Sequence, residues 1–253
     1  MFIRQLARSD FPDVLAITTQ AFAKDELFDW LHPHQDKYPN DLRRTQRILL
    51  RNRLVSVGSH GFVIVTDETD PDWSGTPEIT GYAFFMRSGN DELGRKWQTD
   101  SLFNKFERHL LSWELSYETN VLNRISDRAR VQEYRDMAHY NLYSKLDPRW
   151  HLGLLAVSVN YQRRGIGGKL VKYGQKLAAE ENLPLTLESS VAGRGLYLRS
   201  GFKIVDESEV VKGLDGLSMV WEPDHLKGKW LEDIGNGRAN ILKIVRRHSR
   251  RHA

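Results

Sequence analysis

Apolar and polar residues recur along the chain with the two periods expected of a mixed α/β protein. Residues 2–7 read as a short strand, and apolar residues at helical spacing predict helices over 14–22 and 40–54. Two runs rich in β-branched and aromatic residues, 61–68 and 78–87, predict a hairpin closed by a loop of Asp, Pro, Gly and Ser. The N-terminal part therefore alternates strands with helices.

The middle of the chain, residues 90–148, has almost no glycine or proline and mixes charged with aromatic residues. Leu102, Phe106, Leu110 and Trp113 follow one another at helical spacing. This pattern predicts a helical insertion whose aromatic residues pack inside the protein. A lid over a substrate is the alternative role for the same segment.

A strand, a helix and a second strand follow the insertion. Residues 150–159 form an apolar alternating run, 162–182 have helical spacing, and 183–190 read as the second strand. Residues 192–223 predict a short helix and two closing strands, joined by a turn at 213–216. The predicted fold class is α/β with a mixed sheet.

Charge is concentrated at the C-terminal end. The formal net charge is +4, and the last 16 residues hold six basic residues and no acid, so the rest of the chain carries a net −2. The six basic residues are Arg238, Lys243, Arg246, Arg247, Arg250 and Arg251. A solvated tail is the favoured interpretation, no nucleic-acid partner is expected, and polyanion binding or nuclear targeting is the alternative.

Composition excludes several chemistries. The chain has no cysteine, which rules out disulfides, thiolate metal sites and a cysteine nucleophile. No run approaches the roughly 18 apolar residues of a membrane span, and the first residues lack a secretory apolar stretch. We expect a cytoplasmic, possibly also nuclear, protein with no metal and no membrane partner.

The junction between the strand at 150–159 and the following helix is suited to an anion. Glycines at 165, 167 and 168 let a phosphate approach the backbone, the first N–H groups of the helix lack partners, and Arg163 and Arg164 add positive charge. A close helix-to-strand contact is the alternative explanation of the glycines. Neither a P-loop nor a Rossmann motif fits, because the GK[ST] ending is absent and Leu170 replaces the third glycine.

The string LLAVSVNYQRRGIGGKL resembles the acetyl-CoA signature of the GNAT superfamily, with Gln162, Gly165 and Gly167 at the signature positions. Downstream, Tyr197, with the Gly201–Phe202 pair, resembles the tyrosine and GF of the same family. The resemblance implies a GNAT fold: a central mixed twisted sheet of six to seven strands flanked by helices, with a helical insertion (90–148) between strands 3 and 4. Residues 1–225 would form the single domain and 226–253 an extension ending in the basic tail.

The resemblance further implies an acetyl-CoA site formed mostly by main chain. The Val157 N–H would face the thioester oxygen, where a main-chain donor stabilises the transition state. The residues assigned to acetyl-CoA are Leu155, Ala156, Val157, Val159, Gln162, Arg163, Arg164, Gly165, Ile166, Gly167, Gly168 and Ser190.

Acid and base are expected among three side chains. Tyr197 matches the family tyrosine that protonates the leaving sulfur. His151 is the favoured base, since it lies six residues before Val157 and a period of two puts both on one face; Glu188 is the second choice. The loop histidines His32 and His34 are weaker candidates and are expected to face water.

These residues predict direct transfer of an acetyl group from acetyl-CoA to the amine of a small molecule, with the insertion roofing a closed pocket. A protein or peptide N-acetyltransferase with an open groove is one alternative. A noncatalytic CoA-binding module is another. Either a monomer or a homodimer is compatible with the sequence.

Overall fold

One mixed sheet organises the computed structural model, which describes residues 1–71, 73–137, 142–190, 193–211 and 213–242. Nine strands lie in the spatial order β1-β2-β3-β4-β5-β7-β6-β9-β8. The strands are β1 (Phe2–Gln5), β2 (Ser59–Val65), β3 (Ile79–Ser88), β4 (Arg149–Val157), β5 (Leu185–Ser189), β6 (Lys203–Val211), β7 (Leu214–Trp221), β8 (Leu231–Gly235) and β9 (Arg238–Ile241). The predicted mixed sheet is confirmed.

Helices flank this sheet. They are α1 (Phe11–Ala21), α2 (Glu26–Leu31), α3 (Pro39–Val55), α4 (Glu92–Trp97), α5 (Leu102–Tyr117), α6 (Arg128–Met137), α7 (Ile166–Glu180) and α8 (Arg194–Arg199). One π-helical turn, Glu118–Leu122, continues α5. The insertion between β3 and β4 is confirmed and contains α4, α5 and α6.

The predicted number of strands, six to seven, is wrong because β8 and β9 extend the sheet. β9 pairs in parallel with β6 at Ile204 and Arg238. Leu231 and Ala239 are the buried residues of these two short strands, so no run of alternating apolar residues marks them in the sequence. The domain boundary at residue 225 stays a prediction, and residues 243–251 of the basic tail lie outside the described residues.

Helix α5 packs in the opposite orientation to the one expected. Leu102, Phe106, Leu110 and Trp113 are exposed by 83, 61, 49 and 70%. The expectation that they pack inside is therefore wrong. The reason lies in the neighbouring helix, since α3 presents arginines to α5 and the acidic side of α5 turns towards them.

Two apolar cores cover the two faces of the sheet. On one face α7 packs through Leu170 and Val171 against residues of the central strands. On the other face α1 packs through Val14 and Ile17. The central strand β4 therefore lies between two helical layers.

A β-bulge interrupts β4. Phe84 of β3 pairs with Leu154 and Phe85 pairs with Leu152, which leaves Gly153 as the extra residue. Side chains of β4 consequently change face at this point: Leu152 packs with the α7 core, and so does Leu155, whereas Leu154 packs with the α1 core.

Candidate active site at the separation of two parallel strands

Strands β4 and β5 are parallel neighbours that separate part way along their length. Trp150, His151 and Leu152 pair with β5, and the pairing stops there. β4 nevertheless runs on to Val157 and stays paired with β3 on its other side. Residues 153–157 thus leave one edge of β4 without a strand partner, and this edge borders a gap.

The main chain of Val157 is directed into this gap. The Ser158 N–H donates to the carbonyl oxygen of Thr80 on the β3 side, at 2.9 Å. Because N–H groups alternate between the two edges of a strand, those of Val157 and Leu155 point away from β3. Gln162 supports this geometry, since its Nε2 donates to the Val157 carbonyl oxygen at 3.3 Å.

Gly165 and Gly167 have different physical roles at the start of α7. Gly165 is the N-cap residue with φ +78°, and a Cβ there would meet no atom within 4 Å. A Cβ on Gly167 would lie 3.3 Å from Leu196 Cδ2, so this glycine permits close packing of α7 against α8. The packing explanation therefore applies to Gly167, whereas the backbone at Gly165 is open to a ligand.

The residues from Gln162 to Gly168 fit a diphosphate. The first N–H groups of the 15-residue helix α7 have no intrahelical acceptor and carry the positive end of the helix dipole. Arg163 adopts φ +63°, and the Arg164 guanidinium lies 5.2 Å from the centre of the Tyr161 ring. These features form an electropositive surface at the connection between β4 and α7.

The other residues assigned to the cofactor lie on the two strands that border the gap or directly follow them. Leu155 and Val157 are partly buried against the α7 core, and Ala156 is buried on the α1 side. Val159 follows β4 and is 47% exposed. Ser190 directly follows β5 and is exposed, so it lies on the opposite strand from the others.

His151 and Glu188, considered as alternative bases, are in contact. His151 Nε2 lies 3.4 Å from Glu188 Oε2, and His151 Nδ1 lies 2.9 Å from Thr186 Oγ1. Although 64% of the Glu188 side chain is exposed, the cleft partly desolvates its carboxylate, which acts to raise the pKa. The hydrogen bond and charge of His151, together with the charge of Arg149, outweigh this effect and hold that pKa below its usual value. The carboxylate therefore stays ionised beside the imidazole.

The prediction that His151 and Val157 share a face is wrong. Trp150 and Leu152 pack with the α7 core, so His151 between them points to the other side. Val157 packs with the α7 core because the bulge at Gly153 shifts the alternation by one residue. The His151 ring and the Val157 side chain thus lie on opposite faces of the sheet, while the Val157 N–H lies in its plane.

Tyr197 of α8 belongs to the α7 core. It is 9% exposed, and its ring centre lies 5.8 Å from that of Phe202, the residue of the GF pair. Burial raises the pKa of Tyr197 to about 12, so the hydroxyl keeps its proton at neutral pH. This protonation state is the one that an acid requires.

The loop histidines differ from each other. His34 is exposed, as expected. His32 is buried, contrary to expectation, with Nδ1 2.8 Å from Ser126 Oγ of the insertion. Its burial lowers the pKa to about 4, so the ring is neutral.

Sequence reasoning missed Arg53, which reaches the cleft from the last turn of α3. A Cβ on Gly153 would lie 3.0 Å from Arg53 Nη1 and 3.7 Å from His151 Cδ2. Burial lowers the pKa of Arg53, against the opposing charges of Tyr82, Tyr134 and Glu188. α3 is rich in arginine, and no sequence pattern distinguishes the one that turns inwards.

Within the described ranges, no three or more metal-ligating side chains cluster together, and the expected absence of a metal stays a prediction. Among the same residues, no helix combines the length and apolar character needed to cross a bilayer.

Comparisons with known proteins concern both the overall fold and the segment that contains the gap. Residues 138–223, which include the gap and the start of α7, match the family model of an acetyltransferase (GNAT) domain. An "acetyltransferase" of Stachybotrys chartarum is 22% identical over 209 residues, covering 82% of this chain and 83% of that protein. The crystal structure of "histone acetyltransferase HPA2 and related acetyltransferase" from Corynebacterium glutamicum shares the fold, with a TM-score of 0.55, 19% identity and coverage of 87% of this chain and 95% of that one.

The resemblance to the GNAT superfamily is therefore confirmed, and the chain has the fold of a GNAT-type acetyltransferase with a helical insertion and additional strands. Acetyl-CoA is the cosubstrate expected of this family. The acetyl acceptor is a separate question.

Proposed function

We propose that this chain transfers an acetyl group from acetyl-CoA directly to the amine of a small molecule. One observation supports this most strongly: the edge of β4 that lacks a strand partner begins at Gly153, directly after the contact between His151 and Glu188. Main-chain donors for a carbonyl oxygen and an acceptor for a proton would then border the same opening.

The gap and the start of α7 would hold the cosubstrate. Acetyl-CoA supplies an activated acetyl thioester, and main-chain groups of Leu155 and Val157 would hydrogen-bond its arm as an added strand would. The N–H groups after Gly165 would bind its diphosphate. Each of these contacts is made by backbone, which explains why few side chains of fixed type are needed.

The His151–Glu188 pair would take the proton of the amine, with one ring nitrogen of His151 leaving its partner, Glu188 or Thr186, and turning its lone pair to the amine. An alkylamine has a pKa near about 10 and is mostly protonated at neutral pH, so a base must remove a proton before the nitrogen attacks. Glu188 stabilises the protonated imidazole, since its carboxylate is ionised. The Glu188 side chain is 64% exposed and provides a route for the proton to solvent.

Tyr197 would act from the other face of the sheet. Its hydroxyl, with the pKa raised to about 12, holds a proton that it can donate or share with the departing sulfur. The base and the acid thus approach the gap from opposite sides.

A small acceptor is favoured over a protein because the insertion lies beside the base and restricts the space around it. Tyr134 of α6 interacts electrostatically with both Glu188 and Arg53, so α6 lies near the cleft. Burial raises the pKa of Tyr134, which is consistent with a covered position. An open groove for a polypeptide would leave this region exposed.

The experiment is an acceptor screen on the purified chain with acetyl-CoA, following release of free thiol against a panel of small amines and of peptides. We expect turnover with a subset of the small amines and formation of the N-acetyl product by mass spectrometry. Turnover restricted to peptides would replace the small-molecule assignment by protein acetylation. Binding of acetyl-CoA with no turnover of any acceptor would indicate a noncatalytic module.

A further inference from the structure

The Arg53 guanidinium is largely desolvated in the cleft and makes no direct contact with an anionic side chain of the described residues, although the charge of Glu188 acts on it from a distance. No ion pair or hydrogen bond of its guanidinium occurs within the described part of the chain, whereas Arg44 and Arg51 on the same helix pair with Glu118 and Glu114 at 2.6 and 2.9 Å. A desolvated and unpaired charge is costly, and proteins retain one mainly where a ligand completes it.

The backbone below Arg53 is shaped to admit this side chain. Gly153 is the bulged residue of β4, and any Cβ there would come within 3.0 Å of Arg53 Nη1. The same point lies 3.7 Å from His151 Cδ2. The guanidinium is therefore adjacent to the base, at the place where the acceptor must lie.

We infer that Arg53 binds a carboxylate of the acetyl acceptor, so that the substrate is an amino acid or a similar small amino-carboxylate. This inference rests on the proposed function and narrows it. A guanidinium presents a planar fork of N–H donors that matches a carboxylate. The bound substrate would place its amine near His151 and its carboxylate on Arg53.

The test compares acceptors that differ only in this group. The first matched set is phenylalanine, phenylalanine amide and phenethylamine. The second set is lysine and cadaverine. For the wild-type chain we expect kcat/KM to be higher by about tenfold to hundredfold for the carboxylate member of at least one set, the factor that a charged hydrogen bond provides. Arg53→Met should remove most of this ratio, and Arg53→Lys should retain part of it.

Arg47→Met is the matched control, because Arg47 lies on the same helix, is half exposed and approaches Glu114 only at 3.7 Å. For Arg47→Met, the ratio of kcat/KM between the carboxylate acceptor and its matched amine should equal that of the wild type. Arg53→Met removes a desolvated cation that has no ion pair, so its melting temperature should not fall below that of the wild type. This measurement separates a role in substrate binding from a structural role. A wild type without a preference, or a preference that survives Arg53→Met, overturns the inference.

A second arm keeps this result distinct from failure of the proposed function. If no acceptor is turned over, the proposed activity fails, and binding is then measured by thermal unfolding with free CoA and each probe. A rise in melting temperature with phenylalanine or lysine that requires Arg53 supports the carboxylate site. No such rise overturns it.

Helix α5 carries a second, independent feature. Its outer side, together with the π-helical turn that continues it, bears six exposed apolar residues that we call the α5 stripe: Leu102, Phe106, Leu110, Trp113 and Tyr117 of α5, and Val121 of the turn. The acidic residues of the same segment point inwards, where Glu107, Glu114 and Glu118 pair with arginines. An apolar patch of this extent is a feature of binding surfaces.

The spacing within the α5 stripe is symmetric. Successive steps are four, four, three, four and four residues. When the helix is opposed to an antiparallel copy of itself, Leu102 therefore faces Val121, Phe106 faces Tyr117 and Leu110 faces Trp113. In a twofold dimer, if one position contacts a second position of the partner, the second position of the first copy contacts the first position of the partner. The symmetric spacing lets every residue of the α5 stripe meet another residue of the stripe under this rule.

We propose that a second copy of this chain covers the α5 stripe, forming a twofold dimer through antiparallel α5 helices. Four exposed aromatic rings, including Phe103, contribute on the order of 500 Å² per copy, given the area of a typical aromatic side chain. The aliphatic residues bring this towards the roughly 800 Å² per partner of a standard interface. None of the six residues of the α5 stripe carries a charge.

Sedimentation equilibrium of the full chain tests this. We expect a dimer for the wild type and a monomer for Phe106→Asp, which would place two carboxylates in the apolar contact. Ile234→Asp on β8 is the control, since Ile234 is 55% exposed and lies outside the α5 stripe. A wild type that stays monomeric at the highest attainable concentration, or a dimer that persists in Phe106→Asp, overturns the proposal.

Discussion

The imidazole of His151 contacts the carboxylate of Glu188, with Nε2 3.4 Å from Oε2, where β4 and β5 separate. The other ring nitrogen is 2.9 Å from Thr186 Oγ1, so both sides of the ring are held. A histidine held at both ring nitrogens has a defined orientation beside the gap, with the Glu188 carboxylate in contact with its ring.

Replacing the base should slow the reaction in a pH-dependent way. For His151→Ala we expect kcat at neutral pH to fall by about 10² to 10⁴, with a smaller fall for Glu188→Gln, which removes only the charge that supports the imidazole. As pH rises towards the amine pKa of about 10, the acceptor loses its proton unaided and the defect of His151→Ala should shrink. The measurement is kcat against pH with saturating substrates.

The exposed loop histidine serves as control, and His34→Ala should keep the wild-type profile. A His151→Ala enzyme whose deficit is constant across the alkaline range would argue that the imidazole positions the substrate without accepting its proton.

Loss of the Tyr197 hydroxyl should affect the leaving group alone. We expect Tyr197→Phe to lower kcat with little change in KM for acetyl-CoA, because the hydroxyl acts on sulfur only as it departs. Since the pKa of Tyr197 is raised to about 12, its proton is present throughout the working pH range. An unaltered kcat, with chemistry shown to limit the rate, would remove the acid role.

A carboxylate at the start of α7 should prevent cosubstrate binding. In Gly165→Glu the added charge meets the acetyl-CoA diphosphate, and we expect no binding heat in calorimetry. Gly75→Glu is a matched control, because Gly75 also has a positive φ, +92°, and open space around its Cβ position. Both variants bear the same backbone strain, so equal affinity in the two would contradict the diphosphate assignment.

Burial of His32 should make stability depend on pH. Its pKa is lowered from 6.5 to about 4 in the folded chain, so between these values only the unfolded chain binds the proton. This contribution is complete above pH 6.5 and is lost as pH falls towards 4. At about 1.4 kcal/mol per pKa unit, the loss is about 3 kcal/mol.

Urea unfolding at a series of pH values measures this loss of stability. His32→Gln should lose stability more gradually over the same interval, since an amide does not titrate. Parallel curves for the two proteins would show that protonation of His32 is not coupled to unfolding.

Much of the fold was accessible from the sequence because its signals are local. The predicted helix at 40–54 is observed as Pro39–Val55, and the strand at 150–159 as β4. β8 and β9 were missed because each buries too few side chains to produce a period. α5 was recognised as a helix, but its buried side was assigned wrongly, since arginines 50 to 75 residues earlier in the chain determine it.

The sequence by itself determined the family resemblance and the cosubstrate expectation, since both depend on a contiguous strand, glycine turn and helix whose backbone makes the contacts. Only the tertiary structure decided how His151 and Glu188 relate, which face His151 occupies and that Arg53 enters the cleft. These depend on one extra residue in a strand pairing and on side chains brought together from distant segments. Contacts of that kind are set by register and packing, and neither leaves a period in the sequence.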